Sequence, residues 1–117
     1  MSQARKHRGR ATERLVAAYW RANGWPWCEP NGASAAGADL TGTPGLAVEI
    51  KARANVALPA FMRQAQKHAG AHLLPVLILR LNGQGPKTVG DWPVILRHSD
   101  FLQLLDDAGY TSKENRS

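Results

Sequence analysis

The sequence predicts an α/β fold with a mixed central β-sheet flanked by helices, and three observations carry that prediction. Residues 75–81, Pro75-Val76-Leu77-Ile78-Leu79-Arg80-Leu81, are a continuous apolar run of strand length, the pattern of a central strand covered on both faces. Residues 46–51 alternate instead, with Leu46, Val48 and Ile50 on one face and Ala47, Glu49 and Lys51 on the other. Segments of helical periodicity precede, separate and follow these runs, giving the order α-β-β-α-β-β-α and hence a layered sheet-and-helix domain.

Each element has its own signals. Residues 1–10 carry Arg5, Lys6, His7, Arg8 and Arg10 with almost nothing apolar, and read as a basic N-terminal arm or helix preface. Thr12 or a residue just before it then caps a helix whose apolar line is Leu15, Val16, Ala18, Tyr19 and Ala22, with Gly24 as its left-handed stop. Residues 25–28 read as extended and residues 29–37 as a Gly/Ala/Asn/Ser loop. Two strands joined by the turn Gly42-Thr43-Pro44-Gly45 follow, spanning residues 37–51. Pro59 opens a second helix through Phe61, Ala65 and Ala69, and Gly70 closes it. After the central strand, Asn82-Gly83-Gln84-Gly85-Pro86 turns the chain. Residues 92–97 form a further strand, and Ser99 caps a last helix ending near Gly109. The domain therefore occupies residues 11–110, with a polar tail at 111–117.

Fifteen Lys and Arg against nine Asp and Glu give a formal charge of +6 over 117 residues. Such a balance favours polyanionic partners, nucleic acid foremost. No apolar run reaches spanning length, and the basic N-terminus has no apolar stretch behind it, so a soluble, cytoplasmic protein with no membrane role is expected. The one cysteine, Cys28, permits no internal disulfide and suits a small buried position.

The chemistry concentrates around the alternating strand. Glu49 and Lys51 project together, and Asp39 on the neighbouring strand brings a second carboxylate to the same edge. Two oxygen ligands beside a lysine suit a hard divalent cation and a phosphate, and so a metal-dependent nuclease. Other candidates are weaker. His68 and His72 are four apart, but Gly70 between them breaks the helix that a metal pair needs. Gly85-Pro86-Lys87-Thr88 lacks the upstream glycine of a phosphate-binding loop and reads as a turn. Trp20, Trp25, Trp27 and Trp92 are read as core or interface anchors rather than base-stacking platforms.

Gly9-x-x-x-Glu13-Arg14, Gly24-Trp25, Gly37-Ala38-Asp39-Leu40, Val48-Glu49-Ile50-Lys51, and the helix to Gly70 followed by Pro75-Val76-Leu77 stand in one order over residues 9–81. In that order the chain resembles the PD-(D/E)xK nuclease superfamily, and within it the small archaeal and phage Holliday junction resolvases. Ala38 stands where many members have proline, and Ser34 is the only serine in the loop where resolvases place one. The resemblance implies a restriction-endonuclease-like core and a catalytic set of Glu13, Asp39, Glu49 and Lys51. It implies Mg²⁺, with Mn²⁺ as substitute, held by Asp39, Glu49 and the carbonyl of Ile50, with Glu13 completing the shell. Lys51 then orients water or stabilises negative charge on the phosphate rather than serving as a neutral base.

The expected partner is DNA, branched as in a four-way junction and cut by a homodimer. Candidate DNA contacts are Arg5, Lys6, Arg8, Arg10, Arg14, Ser34, Arg63, Gln64 and Lys67, with Gln66 an alternative to Gln64. Trp92, Val94 and Leu96 offer apolar surface for the two-fold interface. The competing functions are a DNA repair or end-processing nuclease of the same fold and a non-catalytic nucleic-acid-binding module.

Overall fold

A computed structural model describes residues 3–32, 37–52 and 57–111, with the backbone alone for residues 3–8. Its described elements are, in order, α1 (Gln3–Ala22), β1 (Glu29–Pro30), β2 (Leu40–Thr41), β3 (Leu46–Ala52), α2 (Leu58–Ala69) and β4 (Leu74–Arg80). A 3₁₀ turn (Pro86–Asp91), β5 (Val94–Ile95) and α3 (His98–Asp107) complete the chain. The class is mixed α/β. β4 is the middle of a three-stranded sheet, parallel to β3 in the register Leu46↔Leu74 to Ala52↔Arg80 and antiparallel to β5 at Leu77↔Ile95. A parallel neighbour needs a crossover, and α2 supplies it. β1 and β2 form a separate antiparallel pair. That pair is tied to β3 where the Asp39 N–H donates to the Val48 carbonyl at 2.9 Å.

Burial follows the side-chain alternation of β3 and β4. Val48 and Ile50 meet Val76 and Ile78 under Val16 and Ala17 of α1, with Cys28, Leu40 and Trp92 closing the cluster. On the other face Ala65 and Ala69 of α2 are buried, as are Ala47, Leu77 and Leu79 of the strands. The small alanines let α2 lie close to the sheet. Each large aliphatic side chain buried this way contributes roughly 1.5–3 kcal/mol. Pro at the start of α2 and Gly70 at its end, with φ +60° and its N–H on the Gln66 carbonyl at 3.0 Å, perform as the sequence predicts.

Several boundaries differ from the sequence reading. α1 begins at Gln3, so most of the expected arm is its first two turns. Gln, Ala, Lys and Arg are strong helix formers and extend a helix without an apolar face. Thr12 is therefore no cap. It is buried mid-helix, and its hydroxyl accepts from the Arg80 guanidinium at 3.0 Å. Arg80 also donates to the Gln84 carbonyl at 2.9 Å and lies 5.2 Å from the Trp92 ring centroid, so one side chain braces α1, β4 and the 3₁₀ turn.

Residues 25–28 close as a turn, with the Cys28 N–H on the Trp25 carbonyl at 3.0 Å and Pro26 at the position that favours it. Ser99 lies inside α3, where Arg97 holds the cap position. The last strand shrinks to two residues, and Trp92 is buried in the core, which removes it from any interface surface. α3 buries none of its residues: Phe101, Leu102 and Leu104 are exposed. Among the described residues no helix is long and apolar enough to cross a membrane.

Candidate functional site

The site forms at the free edge of β3, where β2 runs up to it. Asp39 precedes β2, half-buried. Its Oδ2 accepts the Ile50 N–H at 2.7 Å while its own N–H bonds Val48, so two backbone contacts fix the carboxylate beside β3. Glu49 points to the α2 side, as the alternation predicts, but α2 covers that face, and the carboxylate is 0 % exposed rather than solvated. Lys51, two residues on, is half-buried on the same side, its ammonium 5.4 Å from the Phe61 ring centroid. α1 delivers Glu13, half-buried, into the field of all three.

Glu49 is the unusual member. Its Oε1 contacts His68 Nδ1 of α2. Its Oε2 is buried with no hydrogen-bond partner among the described residues. Burial pushes the Glu49 carboxyl pKa up, the His68 contact pulls against it, and the nearby Asp39 carboxylate adds to the rise. Two ionised carboxylates are both acceptors and repel each other, and a cation or a proton between them relieves both the repulsion and the missing donor. That orphaned oxygen is the observation on which a cation can be tested, and the residues fit. Among the described residues no three His, Cys, Asp or Glu converge as a ready-made metal cage. Mg²⁺ does not require one, since it is commonly held by one or two carboxylates with waters and substrate phosphates filling the rest.

Glu13 responds to the same crowding. Burial first, then the carboxylates of Asp39 and Glu49, push its pKa up to about 7, against the pull of Lys51 and Arg10. A raised acid pKa means that the folded protein keeps a proton which the unfolded chain has already released. The contribution of Glu13 to folding stability without metal is then fully present below about pH 4.5 and is lost as pH rises through about 7. In EDTA the urea midpoint should fall over that window, and Glu13→Gln should remove much of the slope. A midpoint that rises or stays flat in the wild-type protein would contradict the crowded-carboxylate picture.

Around this centre the remaining candidates divide. Arg10 and Arg14 are exposed on α1 and line a cavity of about 360 Å³ with Glu13, Arg21, Asn31 and Gly32. Arg21 is already engaged, donating to the Cys28 carbonyl at 2.6 Å and lying 3.5 Å from Glu29. Arg63, Gln64, Gln66 and Lys67 are exposed on α2, away from the buried line of Ala65 and Ala69. Ser34, and the side chains of Arg5, Lys6 and Arg8, lie outside the described residues. Ile50 enters through its N–H on Asp39. Trp27 is 79 % exposed, so it is no core anchor, and Trp25 packs on Trp20 with ring centroids 4.8 Å apart.

The sequence reading missed His68. It considered this residue only as half of a pair with His72, which is exposed. The available signal was position: His68 is seven residues after Phe61 and three after Ala65, on the helical line that faces the sheet. Comparison of the chain with protein-family models, curated proteins and solved structures gives no match.

Proposed function

We propose that the chain is a divalent-metal-dependent DNA endonuclease with a restriction-endonuclease-like core, of the PD-(D/E)xK type, acting on branched DNA such as a four-way junction. The observation that carries this reading is the buried Glu49 carboxylate with a donorless oxygen beside Asp39, two residues before a lysine on the same strand face. A buried, unsatisfied carboxylate costs stability and is retained where it has work to do.

In this reading Asp39 and Glu49 hold Mg²⁺ or Mn²⁺, which supplies charge neutralisation at the scissile phosphate and acidifies water near it. The Ile50 N–H keeps Asp39 in place for that task. Lys51 stabilises negative charge developing on the phosphate, and Phe61 beneath the ammonium restrains its reach. The Glu13 carboxyl, with its pKa near 7 in the metal-free site, is poised to exchange a proton at neutral pH. Arg10 and Arg14 line the cavity beside Glu13 and suit the phosphates flanking the cut, which position a strand without reading its bases.

The test is gel cleavage of four-way junction, flap, duplex and single-stranded DNA with and without Mg²⁺. Metal-dependent cutting with the junction preferred supports the reading. Equal cutting of linear ends moves it to a repair or end-processing nuclease, and binding without cutting moves it to a non-catalytic module.

A four-way junction is two-fold symmetric, and two copies of one site meet its two strands. With Trp92 in the core, the surface that fits a second copy is α3, whose Phe101, Leu102 and Leu104 are exposed among the described residues, together with the exposed Val94. Light scattering should report about twice 12.7 kDa. Phe101→Glu with Leu104→Glu should yield a folded monomer. A wild-type monomer at all concentrations would remove the dimer from the reading.

A further inference from the structure

His68 is the penultimate residue of α2, its side chain 25 % exposed and its Nδ1 in contact with Oε1 of a glutamate that is fully enclosed. The contact joins a helix to a strand nineteen residues earlier in the chain. It occupies one oxygen of Glu49 and leaves the other, Oε2, without a partner in the interior. Asp39 is held separately by the Ile50 N–H, so each of the two carboxylates has its own anchor. We propose that His68 is a positioning residue for metal binding: its ring clamps Oε1 of Glu49 so that Oε2 is presented toward Asp39 as a cation ligand. This rests on the metal-dependent reading above and adds a residue which that reading does not contain.

A carboxylate on a bare strand rotates about its side-chain torsions, and ordering it on cation binding costs free energy. A ring restrained on α2 makes that ordering in advance. Outer-shell partners of this kind typically account for about 10–100-fold in metal affinity when removed. A merely structural histidine would instead affect folding and leave the affinity of the folded protein unchanged.

The experiment titrates Mn²⁺ alone into the full chain and follows free Mn²⁺ by electron paramagnetic resonance, with circular dichroism to establish folding. His68→Leu keeps volume and removes the clamp, and it should weaken Mn²⁺ binding about 10–100-fold. His68→Asn places an amide nitrogen near the position of Nδ1 and should restore most of the affinity. In cleavage assays the Leu variant should need correspondingly more Mn²⁺ while its rate at saturation changes little.

Wild-type affinity in a folded His68→Leu protein, or equal loss in the Asn and Leu variants, would overturn the proposal. If the Leu variant does not fold, Asn against Gln decides. Gln carries its amide farther out, so loss in Gln with retention in Asn supports the clamp, and equal affinities refute it. Asp39→Asn separates this inference from the one beneath it. Mn²⁺ binding that depends on Asp39 but not on His68 removes the clamp alone, and absence of wild-type Mn²⁺ binding removes both.

Discussion

Asp39→Asn, Glu49→Gln and Lys51→Ala should each reduce Mg²⁺-dependent cleavage by about 10²–10³-fold or more, because in the proposed reading the first two each remove a charged ligand of the metal and the third removes positive charge at the reacting phosphate. DNA affinity should change little, since the exposed arginines to which the proposed reading assigns the phosphate contacts are untouched. Glu49→Gln carries a second, opposite signature. The amide it introduces can donate toward Asp39, where the native carboxylate only repels it, so the metal-free variant should unfold at higher urea than the wild type. Loss of activity with gain of stability is the mark of a residue kept for function. Full activity in Asp39→Asn would end the nuclease reading, and a Glu49→Gln protein less stable than wild type would show that the glutamate serves the fold.

The second large effect falls on Gly42. This residue has φ +73°, and a Cβ built there lies 2.0 Å from the Trp27 carbonyl oxygen and 2.9 Å from the Cys28 nitrogen, both backbone atoms. Gly42→Ala therefore adds a left-handed backbone penalty of about 1–2 kcal/mol to a clash that no rotamer relieves. The loss should exceed ~3 kcal/mol in denaturant unfolding. Because the close approach lies where β2 leaves the β1 segment, the same change should displace Asp39 and lower cleavage in whatever fraction stays folded. Gly45→Ala is the matched control: φ is +80° there but nothing lies within 4 Å, so only the backbone penalty applies. Equal losses at the two positions would show that the Trp27 contact is unimportant.

The sequence displays some parts of this arrangement and conceals others for physical reasons. The period of two in residues 46–51 places Glu49 and Lys51 on one face whatever else the chain does, and the turn chemistry around Pro44 and Gly45 brings Asp39 alongside. The all-apolar run of β4 likewise announces a strand covered twice. What alternation cannot say is what covers the second face. Glu49 is buried because α2 rotates Ala65, Ala69 and His68 inward, a consequence of helix phase relative to the sheet rather than of either segment alone. The early start of α1 escapes for the opposite reason: the first turns have propensity without an apolar face, so no periodicity marks them. Capping fails as a guide at Thr12 and Ser99, where a hydroxyl suited to a helix end lies within a longer helix. The amphipathic pattern of α3 states that a face seeks cover, but only assembly decides where it finds it.

The bond between Thr12 and Arg80 spans 68 residues of sequence, and the α1 side chains Val16 and Ala17 pack on β4 as well as β3. During synthesis the first helix emerges long before its floor is complete, since β4 and the brace at Arg80 come only at residues 74–80. The basic N-terminal segment must wait, with its apolar line uncovered, while α2 and β4 are made. Contacts so distant close late and slowly, so the ribosome-bound chain passes through an interval in which Val16 is available to chaperones or to other nascent chains. The residue that ends this interval is Arg80, whose guanidinium draws Thr12, Gln84 and Trp92 together.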